Sequence, residues 1–189
     1  MFVQPSSRTN TTSHRKDVKI MNKPDSTEYA PEFEKYISLV PEGEIVMTLG
    51  LQIESTLGLI RGLSAAQGDL RYAPGKWSVK EVIGHLIDAE RIFAYRALRF
   101  ARNDATPLPS FDENSFVANA GFGSRSLADL AEEFEHTRKS NVCLFKNLDG
   151  DSSPRIGVAS DNKLSVCAIA YIIAGHELHH VGILRSRYL

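Results

Sequence analysis

Four stretches of this chain repeat apolar residues at steps of three and four, and nothing between them alternates with the period of two that a half-buried strand shows. A helical period puts one face of each stretch on a core, which restricts the chain to helices packed on helices. The first stretch, about 42–63, follows Pro41 and Gly43 and carries Ile45, Leu49, Ile53 (or Leu51), Leu57, Ile60 and Leu63. The second, about 78–101, opens on Ser78 with Glu81 three residues on. That is a capping box, and Trp77 before it is placed for a hydrophobic staple. Its stripe is Val82, Leu86, Ala89, Phe93, Ala97 and Phe100. The third, about 127–148, begins after Ser126, runs through Leu127, Leu130, Phe134, Thr137, Asn141, Leu144 and Leu148, and stops at Asp149-Gly150. The fourth begins at Val166 behind Ser165 as N-cap and carries Val166, Ile169, Ile173, His176, His180, Ile183 and Arg187.

The connections 64–76 and 149–164 have ordinary loop lengths. Residues 103–125 form a longer one that holds Phe111, Phe116 and Phe122, so it is expected to be packed, with a short helix near 112–119. Four helices and one long connection predict an all-α chain, a four-helix bundle with a long crossover connection. The 189 residues suffice for one domain. It is expected over 30–189, behind a disordered tail over 1–29 that is rich in Ser, Thr and basic residues near its start. Setting aside residues 1–20, with Arg8, Arg15, Lys16, Lys19 and Asp17, leaves 18 basic and 22 acidic residues, a mildly acidic domain. That charge argues against a nucleic-acid partner. No apolar run approaches the ~18 residues of a membrane span, and the N-terminal segment lacks the apolar core of a secretory signal, so no membrane partner is expected. The two cysteines, Cys143 and Cys167, lack CxxC spacing and read as small core residues; a reducing, cytoplasmic setting is the expectation.

Chemistry concentrates in the histidines. His176 and His180 lie four apart on the face of the last helix that should meet the core, where two imidazoles without partners would be costly. Hydrogen bonds to buried polar groups would satisfy them; so would a metal. His85, at the edge of the apolar face of the second helix, is a third inward imidazole on a second element and favours the metal. His179 falls one residue off the stripe and is expected on a flank or in solvent, with a reserve role as a ligand if the helix is rotated. His136, within Glu133-Phe134-Glu135-His136, falls beside the core phase of its helix and is expected on a solvated face. The string His176-Glu177-Leu178-His179-His180 also matches H-E-x-x-H, the helical zinc signature of metalloproteases. A zincin takes its third ligand downstream, and Val181 to Leu189 contain no His, Asp or Glu. Glu177 is therefore not expected to be a protease base, and is kept as a candidate for orienting a water or a ligand.

The run Trp77-Ser78-Val79-Lys80-Glu81-Val82-Ile83-Gly84-His85-Leu86, paired with His176-x-x-x-His180 on the last helix, resembles the DinB/YfiT-like superfamily over about residues 30–189. The resemblance implies a four-helix bundle of unusual connection, often a homodimer. It also implies a divalent metal, nickel or zinc foremost with iron or manganese as alternatives, held by His85, His176 and His180. Thiol-dependent transferases acting with low-molecular-weight thiols, and metal-dependent hydrolases, are among the members.

Three neutral nitrogens on a dication leave coordination positions open, as catalytic sites do. Water there approaches a pKa of ~7 and a thiol is deprotonated, so one site serves hydrolysis or thiol transfer to a small-molecule substrate. Asp88, one turn after His85, is a candidate to orient an imidazole; Glu90 is expected on a solvated face. Arg91, Arg96, Arg99 and Arg102 are expected mostly at the surface or in ion pairs. Asp112, Glu113 and Asn114 would reach the site if the crossover caps it, and otherwise form a turn and helix cap. Trp77 and Tyr95 are expected to pack. The competing reading is a non-catalytic stress-related bundle that binds metal or a partner.

Overall fold

The structure, a computed structural model, describes residues 21–189. Of the segment expected as a tail, residues 1–20 lie outside the described residues. Residues 21–29 pack against the domain: Met21 is buried, the Asn22 carbonyl accepts from the Cys167 thiol at 3.1 Å, and Asp25 and Glu28 close a capping box on a 3-10 turn.

The described residues form seven α-helices, α1 (Glu34–Ile37), α2 (Ile45–Arg61), α3 (Ala65–Gly68), α4 (Val79–Ala101), α5 (Glu113–Ala120), α6 (Leu127–Lys146) and α7 (Val166–Arg187), of which the long α2, α4, α6 and α7 lie close to the four expected stretches and the short α1 and α3 were not expected. A two-stranded hairpin, β1 (Ile156–Ala159) and β2 (Asn162–Ser165), precedes α7. The four long helices start where their caps require. The Ser78 hydroxyl accepts from the Glu81 amide while the Glu81 carboxylate accepts from the Ser78 amide, and Ser126 and Ser165 accept from Asp129 and Ala168. Among the four long helices, the packed pairs are α4 with α7, α2 with α6, α4 with α6 and α2 with α7. Around the bundle the order is thus α2, α6, α4, α7. Two successive long helices, α2 and α4, lie diagonally, as do α6 and α7.

The crossover forms α5, close to its expected place, then a 3-10 turn over Phe122–Ser124 that packs on α4. Phe122 is buried, whereas Phe116 is exposed. The segment expected to be a plain loop, 149–164, contains the hairpin. Its two-residue turn, Ser160 and Asp161, has φ of 51° and 62°, the left-handed pair that matches the twist of a tight hairpin. The strand period was illegible because the inward position of β1 is a glycine: a Cβ on Gly157 would stand 2.0 Å from the Phe100 ring.

Helix α7 is more than an amphipathic stripe. Every residue from Val166 to Glu177 is buried, because α4, α2, α1 and β2 surround it. By length and composition α7 would suit a membrane span, although it holds no unbroken apolar run of that length; most of it lies inside this protein. The α1 backbone seats on it where Gly175 leaves room for the Tyr36 carbonyl, 2.0 Å from where a Cβ would be. Two apolar clusters fill the bundle, one around Leu49, Phe93, Phe100, Phe145 and Ile169, the other around Leu57, Ile83, Phe122, Leu130 and Phe134. Cys167 is buried, but Cys143 is exposed: the buried face of α6 runs through Arg138, Asn141 and Phe145, which turns Cys143 outward.

Candidate metal centre

Two helices deliver three imidazoles to one point. His85 lies two turns into α4, and His176 and His180 lie one turn apart near the end of α7, the helix packed most closely on α4. One ring nitrogen from each falls within 4.8 Å of the others. The His85 and His176 Nε2 atoms are 3.1 Å apart. Nitrogens at ~2.0–2.1 Å from a tetrahedral ion stand roughly 3.3 Å from one another, so the spacing fits ligands on a common cation. His85 and His176 are each 7% exposed, and His180 is half-buried. That single contact is the only one of hydrogen-bond length among the three rings and the other described residues.

Burial keeps all three rings neutral. It lowers the His85 pKa to about 4, against a small opposing pull from Glu113. It lowers His180 to about 3, with repulsion from His85, His179 and Lys35 adding to it, and sets His176 well below its ordinary value, with its histidine neighbours adding. Neutral imidazole is the form that offers a lone pair to a metal.

Aromatic rings enclose the cluster. Trp77 stands 4.8 Å from His85 between ring centroids, and the Tyr36 ring meets His176 and His179 edge-on at 5.3 and 5.4 Å. His180 also lines a cleft of about 240 Å³ with Tyr72, Lys76, Trp77, Asn114 and Tyr188. The Tyr188 hydroxyl donates to the Trp77 carbonyl at 2.6 Å and so ties the end of α7 to the start of α4. The cleft connects the half-buried imidazole with solvent.

Other expected residues fall elsewhere. Glu177 points into the bundle core, where it takes the Thr56 hydroxyl and lies 2.6 Å from Arg138 Nη1. It makes no direct hydrogen bond to the three imidazoles. Asp88 pairs loosely with Arg91 at 3.9 Å, and partial burial raises its pKa. Its carboxylate makes no hydrogen bond to His85, whose ring meets only His176 at hydrogen-bond length among the described residues. Glu90, expected on a solvated face, is buried against Arg138, because α6 covers that side of α4. Arg96 is buried too, donating to the Pro109 carbonyl and the Ser160 hydroxyl. Tyr95 is exposed rather than packed, and His136 is exposed as expected. Asn114 reaches the cleft, while Asp112 caps α5. The sequence reading missed Arg138 and Tyr36. A charged residue one turn after Phe134 in the core phase was the available signal for the first; nothing marked the second.

A family model described as the DinB superfamily matches residues 49–184, which contain all three histidines. Among solved structures, YfiT from Bacillus subtilis is similar in fold, with a TM-score of 0.63 and 15% identity over 86% of this chain and 91% of that one. That protein is described as a probable metal-dependent hydrolase with an unusual four-helix bundle topology. A search of the curated proteins finds no match.

Proposed function

The chain belongs to the DinB superfamily, and from that membership we propose that it is a metal-dependent enzyme whose His85, His176 and His180 hold a divalent cation, nickel or zinc foremost. The convergence of three neutral imidazoles, two buried and one half-buried, carries this reading. The donor set fits: three nitrogens leave positions free, as open sites require. When bound, such an ion supplies hydroxide near neutral pH or holds a small thiol as thiolate. The likeness to YfiT supports the hydrolytic form; delivery of a low-molecular-weight thiol to an electrophile is its companion. The remaining work falls to the chain. Trp77 and Tyr36 keep bulk water from the imidazoles, and the cleft between Tyr72, Trp77 and Tyr188 admits the substrate beside His180. Lys76 on the cleft wall attracts an anionic group of that substrate. A homodimer belongs to the same proposal and is checked by light scattering.

The test is elemental analysis of tag-free protein beside a His85→Ala/His180→Ala variant, followed by ester, amide and thiol–electrophile screens on metal-free and reloaded enzyme. The reading expects near one transition metal per chain, lost in a folded variant, and turnover that returns on reloading. No metal in the wild type, even after incubation with nickel, zinc or manganese, overturns it.

A further inference from the structure

Buried charges at the waist of the bundle have no part in the reading above. Arg138 of α6 gathers one carboxylate from the neighbouring α4 and one, across the diagonal, from α7. Its Nε and Nη2 donate to the two oxygens of Glu90 at 2.6 and 2.8 Å, and its Nη1 lies 2.6 Å from Glu177 Oε2. The three side chains are 1–4% exposed. Asn141 donates to Glu90 at 3.2 Å and Thr56 donates to Glu177, so all four long helices contribute. Glu177 Oε2, beside the guanidinium, receives no aligned hydrogen bond and keeps acceptor capacity.

His176 abuts this group. A cavity of about 10 Å³ is lined by Glu90, Arg138, Glu177 and His176 among apolar neighbours. Its volume is that of about one water, and it offers the several polar partners a buried water needs. His176 turns Nε2 toward His85. The proton of a neutral imidazole sits on one nitrogen, and its place decides whether Nε2 offers a lone pair. With no metal between them, two facing Nε2 atoms at 3.1 Å require one donor and one acceptor.

We propose that Glu177, held by Arg138 and Glu90, accepts from His176 Nδ1–H through one water in this cavity and so fixes the Nδ1–H tautomer, with the Nε2 lone pair presented to the cluster. Glu177 is then a positioning residue, acting through His176. His85 donates to His176 in the metal-free protein. The same carboxylates place negative charge behind the point where a cation would sit, which favours its binding. The tautomer stands apart from the metal reading; the effect on affinity rests on it.

The test reads tautomers directly, by long-range proton–nitrogen NMR on metal-free protein with labelled histidine. Zinc affinity is measured alongside by chelator competition. Wild type should show His176 protonated on Nδ1. Glu177→Gln should lose that state and bind zinc ten- to a hundredfold more weakly, the usual cost of removing such a partner. The surface variant Glu135→Gln should change neither. As a control against unfolding by Glu177→Gln, a Glu90→Leu/Arg138→Met/Glu177→Leu variant removes the whole charged group and leaves no buried charge unpaired. It should show the same two losses. A wild-type His176 protonated on Nε2 overturns the proposal, as does an unchanged tautomer in either folded variant. Tautomer control without metal uptake would sink the metal reading and leave the water relay standing.

Discussion

Replacing Gly84 with alanine tests how the crossover is fastened over the site. A Cβ there would lie 2.3–2.4 Å from three carbons of the Phe122 ring, far inside contact distance. The ring has little freedom to yield: it is 5% exposed, Gly121 before it holds φ at 67°, and Lys80 donates to the Gly123 carbonyl after it. Overpacking costs about 1–3 kcal/mol, and expelling a buried phenylalanine about 3 kcal/mol. Alanine in a helix interior returns about 1 kcal/mol relative to glycine. With a clash this deep the upper figures apply, for a net loss of about 2 kcal/mol, or a melting temperature lower by about 4–8 °C for a domain of this size. The decisive measurement is the same substitution in a Phe122→Ala background. The clash is gone there, so Gly84→Ala should raise the melting temperature by about 2–4 °C. Thermal and urea unfolding of the four proteins give the cycle. A neutral or stabilising Gly84→Ala in the wild type, or effects that simply add, would refute the reasoning.

Arg138→Met should cost about 3–5 kcal/mol in urea unfolding, because two carboxylates stay buried without their cation, whereas Arg61→Ala at the exposed pair with Glu135 should cost less than about 1 kcal/mol. Trp77 is the one tryptophan of the chain and adjoins His85, so nickel or cobalt binding should quench its fluorescence; an unquenched tryptophan in metal-loaded protein would contradict the site. A thiol reagent should modify one cysteine of the folded chain, the exposed Cys143. Burial lifts the Cys167 pKa to about 12, so that thiol should react only on unfolding, as peptide mapping would show. Metal-free protein should lose stability as pH falls from about 6.5 toward 4. The unfolded histidines take up protons there, while the folded His85 and His180, with pKa values depressed to about 4 and about 3, do not. A His85→Asn/His180→Asn variant should flatten that slope in melting experiments.

Helix positions and caps were legible because they are local. Ser78 with Glu81, Ser126 and Ser165 each satisfy amides within three residues, whatever the tertiary context. The three histidines were legible because period and helix pairing suffice to bring them together. Residues whose environment comes from a distant element were not. Glu90 looks solvated until α6 covers it, and the hairpin hides behind Gly157, whose missing side chain is the space Phe100 fills. Tyr36 reaches the imidazoles only because Gly175, far along the chain, lets the α1 backbone approach.

The two apolar clusters meet at a layer where each long helix changes character. Gln52 on α2, Arg138 and Asn141 on α6, and His176, Glu177 and His180 on α7 fall between them along their helices, and Thr56, His85 and Glu90 lie within a turn or so of that boundary. A bundle built only for stability would fill this layer with apolar side chains, since buried ion pairs seldom outperform them. Gln52 donates to the Ala174 carbonyl, two residues before His176, and Thr56 holds Glu177 one residue after it. The layer therefore grips α7 on both sides of His176 from the α2 side, while His85 meets the ring from α4. Small rotations of α7 would break several buried hydrogen bonds at once. That cooperativity keeps His176 and His180 aimed at one point in the metal-free protein, and a preformed donor set binds an ion without first ordering its ligands.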